Sequence, residues 1–450
     1  MRSALAARLS QAYRNSGWCA AIRSFADGDD QKRHAGTRLS MVIGQHPGGM
    51  HAVRSRRSLF GLAGGGAAAA LLPGCAFPMR GTAVPLARTL QASVLGLPNE
   101  RFFPFYGTAP LETEFMAALE RMRRAQNLAS TASLPELQLL AVSGGGENGA
   151  FGAGLLCGWS ERGTRPTFEL VTGVSTGALT APFAYLGPSY DGPLRTVYTE
   201  LTPAHVRLKR FFTAALFDDA MSDNAPLFKT ISTYLDKNML DALARAYADG
   251  RLLFVGTTNL DAQQPVIWNI GAIAGSGHPR ALETIRRILL ASSAIPGAFP
   301  PTMFDVVLNG KPYQEMHVDG GAFAQAFLYP AALTRQRRLR MASGQHVLSA
   351  NAYIIRNGRL DPEWATTERR TLGIAGRAIA TMITASGIND VIRLYNTTRH
   401  DDIGYNLAYI GSDFDLKPPK PFDQKYMRAL FDYGYRRGRA GYPWAKAPPI

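Results

Sequence analysis

Ser175 stands in the run Gly173-Val174-Ser175-Thr176-Gly177, directly after the apolar segment Phe168 to Thr172. The G-x-S-x-G spacing suits a nucleophile held on a sharp strand-to-helix bend, where Gly173 and Gly177 let strand and helix approach closely. A hydroxyl alone is a weak nucleophile. It needs a base, and the tetrahedral oxyanion formed when it attacks an acyl carbon needs N–H donors. A second glycine-bearing turn, Ser143-Gly144-Gly145-Gly146-Glu147-Asn148-Gly149, follows the apolar run Leu137 to Val142 and can supply them. Its glycines leave N–H groups unshielded, and a helix predicted from about Ala150 to Ser160 adds the positive end of its dipole. The base must come from further along the chain. By itself a G-x-S-x-G match is also what an ordinary strand-to-helix turn looks like.

The combination is more telling than any one part. Downstream lie Ala291-Ser292-Ser293-Ala294-Ile295-Pro296-Gly297-Ala298-Phe299-Pro300-Pro301 and then His317-Val318-Asp319-Gly320-Gly321. A glycine-rich loop, a G-x-S-x-G serine and an Asp-Gly-Gly aspartate in that order resemble the patatin-like phospholipase family, over about Leu137 to Gln325. The resemblance implies a three-layer α/β sandwich with a central, mostly parallel sheet flanked by helices. It implies Ser175 as nucleophile, Asp319 as its base, and Gly144, Gly145, Gly146 and Gly149 around the oxyanion, with Gly173, Gly177, Gly320 and Gly321 shaping the turns. The implied reaction is hydrolysis of carboxylic esters of lipids, of the phospholipase A or lysophospholipase type, with no metal and no cofactor. One position departs from the family: the residue before the last glycine of the loop is often Arg or Lys, and here it is Asn148. An uncharged amide keeps a donor but removes a fixed positive charge from that place.

Other chemistries fit less well. Gly144-x-Gly146-x-x-Gly149 also matches a dinucleotide fingerprint, with Glu169 about twenty residues on, but that acid precedes its strand where a ribose-binding acid should end it. No Gly-Lys-Ser or Gly-Lys-Thr closes the glycine run, which excludes a P-loop. A Ser-Asp-His triad is available in chain order through His346 or His400, though neither carries a signature and no His-Gly-Gly-Gly loop is present. A lipid-binding lipoprotein without catalysis is the remaining alternative, against which the intact Ser175 and Asp319 argue.

The elements that would carry these residues read as one α/β domain over 136–450, with core motifs at 137–325. Glu112 to Gln126 is predicted helical, with Phe115, Met116, Leu119 and Met122 on one face to cover the sheet. Leu252 to Thr258 and Pro265 to Ile270 look like paired strands. Leu282 to Ala291 reads as a helix, and Met303 to Val307 and Tyr313 to Val318 as strands around Asn309-Gly310, the second delivering Asp319. A strand at Val347 to Ile355, a long helix at Ile374 to Tyr395, a short strand at Leu407 to Ile410 and a helix at Gln424 to Arg437 complete the pattern. The apolar pairs Phe211-Phe212 and Leu216-Phe217 read as core, or as lining for an acyl-chain pocket. Asp218, Asp219 and Asp223 have no metal-ligand spacing and read as caps and solvated loop residues.

Residues 1–74 differ in kind. Arg54-Ser55-Arg56-Arg57-Ser58-Leu59-Phe60, an uncharged stretch to Leu72, and Pro73-Gly74-Cys75 form a basic region, a short apolar region and a small residue before a cut, as in an export signal. The arginine pair resembles a twin-arginine signal, and Leu72-Pro73-Gly74-Cys75 resembles a bacterial lipobox whose Cys75 would be lipidated. A start at Met41 or Met50, not Met1, would put that signal where signals begin. Residues 75–135 then read as a tether plus the first helix, and the protein as one exported and anchored to a bacterial membrane by lipid. The formal charge is +15, and residues 1–74 hold ten Lys and Arg against three Asp and Glu, leaving +8 for the remainder. That balance suits an anionic bilayer surface, and no basic, aromatic-interleaved run suggests nucleic acid. Of three cysteines only Cys75 and Cys157 would remain after cleavage, which excludes a disulfide framework.

Overall fold

The computed structural model describes residues 79–129, 133–206, 208–209, 219–220 and 222–449. The stretch expected to be an export signal, Cys75, Phe211, Phe212, Leu216, Phe217 and Asp218 lie outside them. A nine-stranded sheet organises the rest. Its strands are β1 (Arg101–Phe102), β2 (Leu137–Val142), β3 (Leu170–Val174), β4 (Leu252–Asn259), β5 (Gln264–Asn269), β6 (Thr302–Leu308), β7 (Lys311–Asp319), β8 (Ala350–Arg356) and β9 (Gly404–Tyr409). The order β4-β3-β2-β8-β9 is parallel throughout, and β5, β1, β7 and β6 extend it in antiparallel fashion beyond β4.

The strands are apolar without alternation because both faces are buried. Leu140 and Val142 of β2, Val171 of β3 and Leu253 and Val255 of β4 join one core. Their neighbours Leu139, Ala141, Leu170, Leu252 and Phe254 join the other. The first core is shared with helices α2 (Gly149–Glu161), α3 (Thr176–Leu186), α4 (Asp191–Glu200), α5 (Ala225–Tyr234), α6 (Lys237–Ala248) and α7 (Ala281–Ser292), and with α9 (Gln424–Ala440). The second is shared with α1 (Ala109–Ala125) and the distal half of α8 (Thr371–His400). Three layers result, as the sequence resemblance implies. Among the described residues no helix is long and apolar enough to cross a membrane.

Two expectations need correction. The segment read as a tether packs onto the body from Ala83 onward: Val84, Ala92, Val94, Leu95 and Phe103 are buried, and Ala83 and Ser93 bridge to Gln314 and Val307. Arg101 drives its guanidinium against the Glu315 carboxylate at 2.5 Å, and Glu100 accepts the N–H groups of Val94 and Leu95 at 2.7 and 2.9 Å. These contacts are made by isolated bridges and buried charge, which leave no periodic pattern to read. In α1 the inward face is Leu111, Glu114, Ala118 and Met122, while Met116 points to solvent. Glu114 is drawn in by the Tyr247 hydroxyl and Arg121, at 2.8 Å each.

Candidate active site

Strand β4 is the ruler that sets the site. Gly256 pairs with Val174, the last residue of β3, and the next residue, Thr257, pairs with Asp319, the last of β7. Because β5 occupies the other edge of β4 over residues 254–259, β3 and β7 share one edge end to end. Their last residues therefore meet, and the side chain of Ser175 comes to rest on that of Asp319.

Ser175 links β3 to α3 at φ 56° and ψ −127°, a strained bend for a side-chain-bearing residue. The bend is held by Ser292, whose Oγ accepts the Ser175 N–H at 3.0 Å and donates to the Gly256 carbonyl at 2.7 Å. A Cβ on Gly177 would lie 2.1 Å from the Val142 carbonyl oxygen, and one on Gly173 would lie 2.5 Å from the Gly177 carbonyl. The hydroxyl then donates to Asp319 Oδ2 at 2.6 Å, while Oδ1 accepts the Gly321 N–H at 2.7 Å. No cation among the described residues touches this carboxylate. Burial pushes its pKa up to about 7, and the two neutral donors pull it back only in part.

The glycine loop divides its labour. Gly144 gives its N–H to the Gln325 carbonyl at 2.9 Å, and Gly149 gives its own to the carbonyls of Gly146 and Glu147. Neither is free to meet an oxyanion, which corrects their expected role: both are spacers. A Cβ on Gly144 would lie 2.7 Å from Gln325 Oε1, and one on Gly149 would lie 2.2 Å from Thr176 Oγ1. The N–H groups of Gly145 and Gly146 have no partner among the described residues, which leaves these two as the candidate donors. Gly145 is pinned beneath Asn357, whose carbonyl oxygen would be 2.1 Å from an added Cβ. Gly320 and Gly321 turn the chain after Asp319, and Gly320 lies against the Gly256 carbonyl.

A cavity of about 700 Å³ opens over Ser175, Asp319 and the loop, walled on its far side by Ile379, Met382 and Ile383 of α8. On the inner side a narrow apolar pocket of about 50 Å³ runs from Ser175 between Leu179, Val197, Leu227, Phe299 and Met427. A second, of about 40 Å³, continues past Ile231 and Leu289 and shares Leu179, Val197, Leu201 and Leu227 with the first. Asn148 also lines the cavity, with its Oδ1 taken by the Tyr426 hydroxyl at 2.7 Å.

Two residues absent from the motif reading, Asn357 and Arg356, shape the site together with Ser292 of the quoted segment. Asn357 donates its backbone N–H to Ser143 Oγ and its amide to the Ser143 carbonyl, at 2.8 and 2.9 Å, and accepts the Gly152 N–H. Arg356 lies beside it, and Ser292 holds the elbow. The sequence signal for the first two is a polar Arg356-Asn357 pair ending an otherwise apolar strand, at the carboxyl edge where α/β sites are built. The candidate bases of a triad lie elsewhere. His346 is exposed, and His400 lines a separate surface cavity with Arg338 and Arg393. Among the described residues no cluster of three or more His, Cys, Asp or Glu could hold a metal. Cys157 is buried, and burial pushes its thiol up to about 12.

A three-layer α/β fold with a strained serine, a carboxylate and free loop N–H groups at one sheet edge defines the serine acyl hydrolases as a class. The family model for patatin-like phospholipases matches residues 140–332, and the chain carries a patatin-like phospholipase domain there, which makes it a lipid acyl hydrolase with lipid or ester substrates. No curated protein matches the chain. The crystal structure of VipD from Legionella pneumophila matches at 12% identity over 71% of this chain and 72% of that one, with a TM-score of 0.28, a level that bears on neither fold nor function.

Proposed function

We propose that the protein cleaves carboxylic esters of lipids through a Ser175–Asp319 dyad. Asp319 takes the hydroxyl proton as Ser175 Oγ attacks the ester carbonyl, and the Gly145 and Gly146 N–H groups receive the oxyanion. Collapse expels the alcohol, which takes the proton back from Asp319. Water, deprotonated by the same carboxylate, then attacks the acyl-enzyme, and the acid leaves. The observation that carries this reading is the 2.6 Å contact between Ser175 Oγ and Asp319 Oδ2 in a site where no histidine competes. His317, two residues away, has both ring nitrogens engaged, with Thr257 Oγ1 at 2.9 Å and Glu315 at 3.2 Å. The narrow apolar pockets inward of Ser175 offer a hydrophobic surface to the acyl side of an ester, which supports a lipid substrate.

The reading includes export and anchoring through a lipidated Cys75, supported by the basic and apolar run before it. The test of the chemistry is a fluorophosphonate label followed by peptide mapping. Label on Ser175, lost in Ser175→Ala and accompanied by loss of esterase activity, is expected; an unlabelled serine in folded protein would leave a lipid-binding module. For the anchor, Cys75→Ala should remove the acyl mass and release the protein from the membrane fraction.

A further inference from the structure

Arg356 ends β8, is 5% exposed, and lines the cleft over Ser175. Its Nη1 reaches the Gly144 carbonyl at 3.3 Å and Ser143 Oγ at 3.5 Å, while Nε is buried with no hydrogen-bond partner among the described residues. The other cation lining the cleft, Arg359, pairs with Glu363 at 3.2 Å and donates to the carbonyls of Gly411 and Phe414. The two acids whose fields reach Arg356 are held elsewhere. Asp390 accepts the Gln325 and Ala326 N–H groups at 2.6 and 3.2 Å and pairs with Arg393 at 2.8 Å, and Glu363 is taken by Arg359. The slot is cut for the guanidinium: a Cβ on Gly387 of α8 would lie 2.4 Å from Nη2, and one on Gly358 would lie 3.1 Å from Cζ. The fold thus keeps a positive charge behind the glycine loop without giving it a carboxylate, an arrangement that costs stability.

One peptide connects that charge to the reaction. The Gly144 carbonyl accepts Ser143 Oγ at 2.7 Å as well as Arg356 Nη1, and the N–H of the same peptide belongs to Gly145, a candidate oxyanion donor. A trans peptide points its C=O and N–H in opposite directions, so bonds that hold the carbonyl aim the N–H the other way. A Cβ on Gly144 would lie 3.2 Å from that of Ser175, which sets the loop directly beside the nucleophile. When Ser175 Oγ bonds to the ester carbon, its proton passes to Asp319 and the carbonyl π pair moves onto the oxygen. One negative charge therefore leaves the base and appears at the loop. Asp319 is touched by the Ser175 hydroxyl and the Gly321 N–H, and burial with these two neutral donors sets its pKa. Residues Ser143 to Gly149 include no cation of their own. A cation on the loop side favours the transfer, because it meets more negative charge in the transition state than in the bound ester. We infer that Arg356 is a positioning residue for the oxyanion loop, which orients and polarises the Gly144–Gly145 peptide and brings from β8 the positive charge toward which the reaction's negative charge moves. The inference rests on the hydrolase reading and adds the group that draws charge from Asp319 to the loop.

The test follows the full chain and its Arg356→Met, Arg356→Gln and Arg356→Lys variants on p-nitrophenyl octanoate, a neutral ester. Both neutral variants should lose kcat by about 10- to 100-fold, the range for a hydrogen bond to a charged group, with KM changed by less than about threefold. Arg356→Lys, which keeps the charge, should recover most of that loss. An octyl trifluoromethyl ketone, which Ser175 converts into a tetrahedral oxyanion adduct, should bind each variant more weakly by the factor that its kcat/KM falls. The pH at which kcat/KM reaches half its plateau should stay near 7 throughout, since the charge acts on the loop and not on the base. Loss confined to KM would overturn the inference, as would a Lys variant no better than the neutral ones. Unchanged ketone binding beside a lowered kcat would overturn it too, and a half-plateau pH well above 7 in the neutral variants would put the charge on the base and do the same. If Arg356→Met fails to fold, Arg356→Gln carries the same comparisons. Absence of Ser175-dependent product and adduct in the wild type would sink the hydrolase reading itself, and is seen before any Arg356 variant is measured.

Discussion

Strand β7 buries two carboxylates four residues apart and treats them in opposite ways. Glu315, 1% exposed, receives Arg101 through both Nη1 and Nη2 and His317 through Nε2. Burial alone would raise its pKa, but Arg101 and His317 bring it down to about 2. Asp319, 4% exposed, receives a hydroxyl and one backbone N–H and no cation, and burial carries it up to about 7. The lesson is that neutral donors do not offset desolvation, whereas a buried cation does. A carboxylate with a cation is an anchor that stays ionised, and one without is poised to exchange a proton near neutrality. Here the anchor fastens β1, through Arg101, to the strand that ends in Asp319, the proposed base.

The largest effect should separate the two acids. Asp319→Asn should lower turnover by about three to four orders of magnitude or more, the range for loss of a triad member. Glu315→Gln should leave turnover per folded molecule close to wild type while destabilising the protein by about 3 kcal/mol, because buried Arg101 would keep only the Glu100 carboxylate, 3.9 Å away. Denaturant melts beside single-substrate kinetics decide it. A folded Glu315→Gln protein with Asp319→Asn-like turnover would break the comparison.

The oxyanion loop sharpens it, because donors there act on charge that exists only during reaction. Gly145→Ala would drive a methyl into the Asn357 carbonyl and displace the loop, so turnover should fall about a hundred- to thousand-fold, as when one such donor is lost. Gly146 also has positive φ but nothing within 4 Å of an added Cβ. Gly146→Ala should therefore meet only the left-handed backbone cost of about 1 to 2 kcal/mol, visible as a smaller loss of turnover in the same assay.

The pH response should run in opposite directions for the two acids. The base works ionised, so kcat/KM should climb about tenfold per pH unit below 7 and level off above it. For stability, between about pH 4 and pH 7 the unfolded chain has lost the Asp319 proton while the native protein still holds it. The native state then binds more protons, and this group's contribution falls as pH rises through that window. Asp319→Asn should abolish that fall in melts taken from pH 4 to 8. Glu315 gives the reverse: its contribution is present above the ordinary glutamate pKa and is lost as pH drops from about 4.5 toward 2.

What could be read from the chain beforehand follows the range of each constraint. Ser175 and its glycines were legible because the elbow is local, each glycine being demanded by an atom within a few residues or on the adjoining strand. Asp319 was legible through the turn that ends its strand. The roles of Gly144 and Gly149 were not, since nothing local says that one N–H goes to Gln325 and the other to its own turn. Arg356 and Asn357 stayed hidden because they reach the loop only when β8 pairs beside β2, and strand order is not written in hydrophobic pattern. The segment around Glu100 and Arg101 was misread because its burial depends on charge pairing with Glu315, more than two hundred residues away. The long helical pattern at Ile374 to Tyr395 is legible, but not the full span of α8, nor that Ile379 and Met382 of its exposed, apolar proximal half wall the cleft over Ser175.

The smallest effect tests whether the loop works through backbone or side chain. Asn148 occupies the place where a cation would have altered the cleft's charge, yet its Oδ1 is taken by the Tyr426 hydroxyl on α9. Its amide oxygen thus ties the loop to the helix layer. Asn148→Ala removes one hydrogen bond between partly buried neutral groups, a loss of about 1 kcal/mol in stability, and should change turnover by less than about threefold. Tyr426→Phe should cost about the same, and the double variant little more than either single one, because both remove the same bond. Thermal melts and initial rates on the four proteins close the cycle. If Asn148→Ala loses turnover as steeply as Gly145→Ala while Tyr426→Phe does not, the amide itself serves the oxyanion or the substrate, and assigning that work to the backbone N–H groups of Gly145 and Gly146 is wrong.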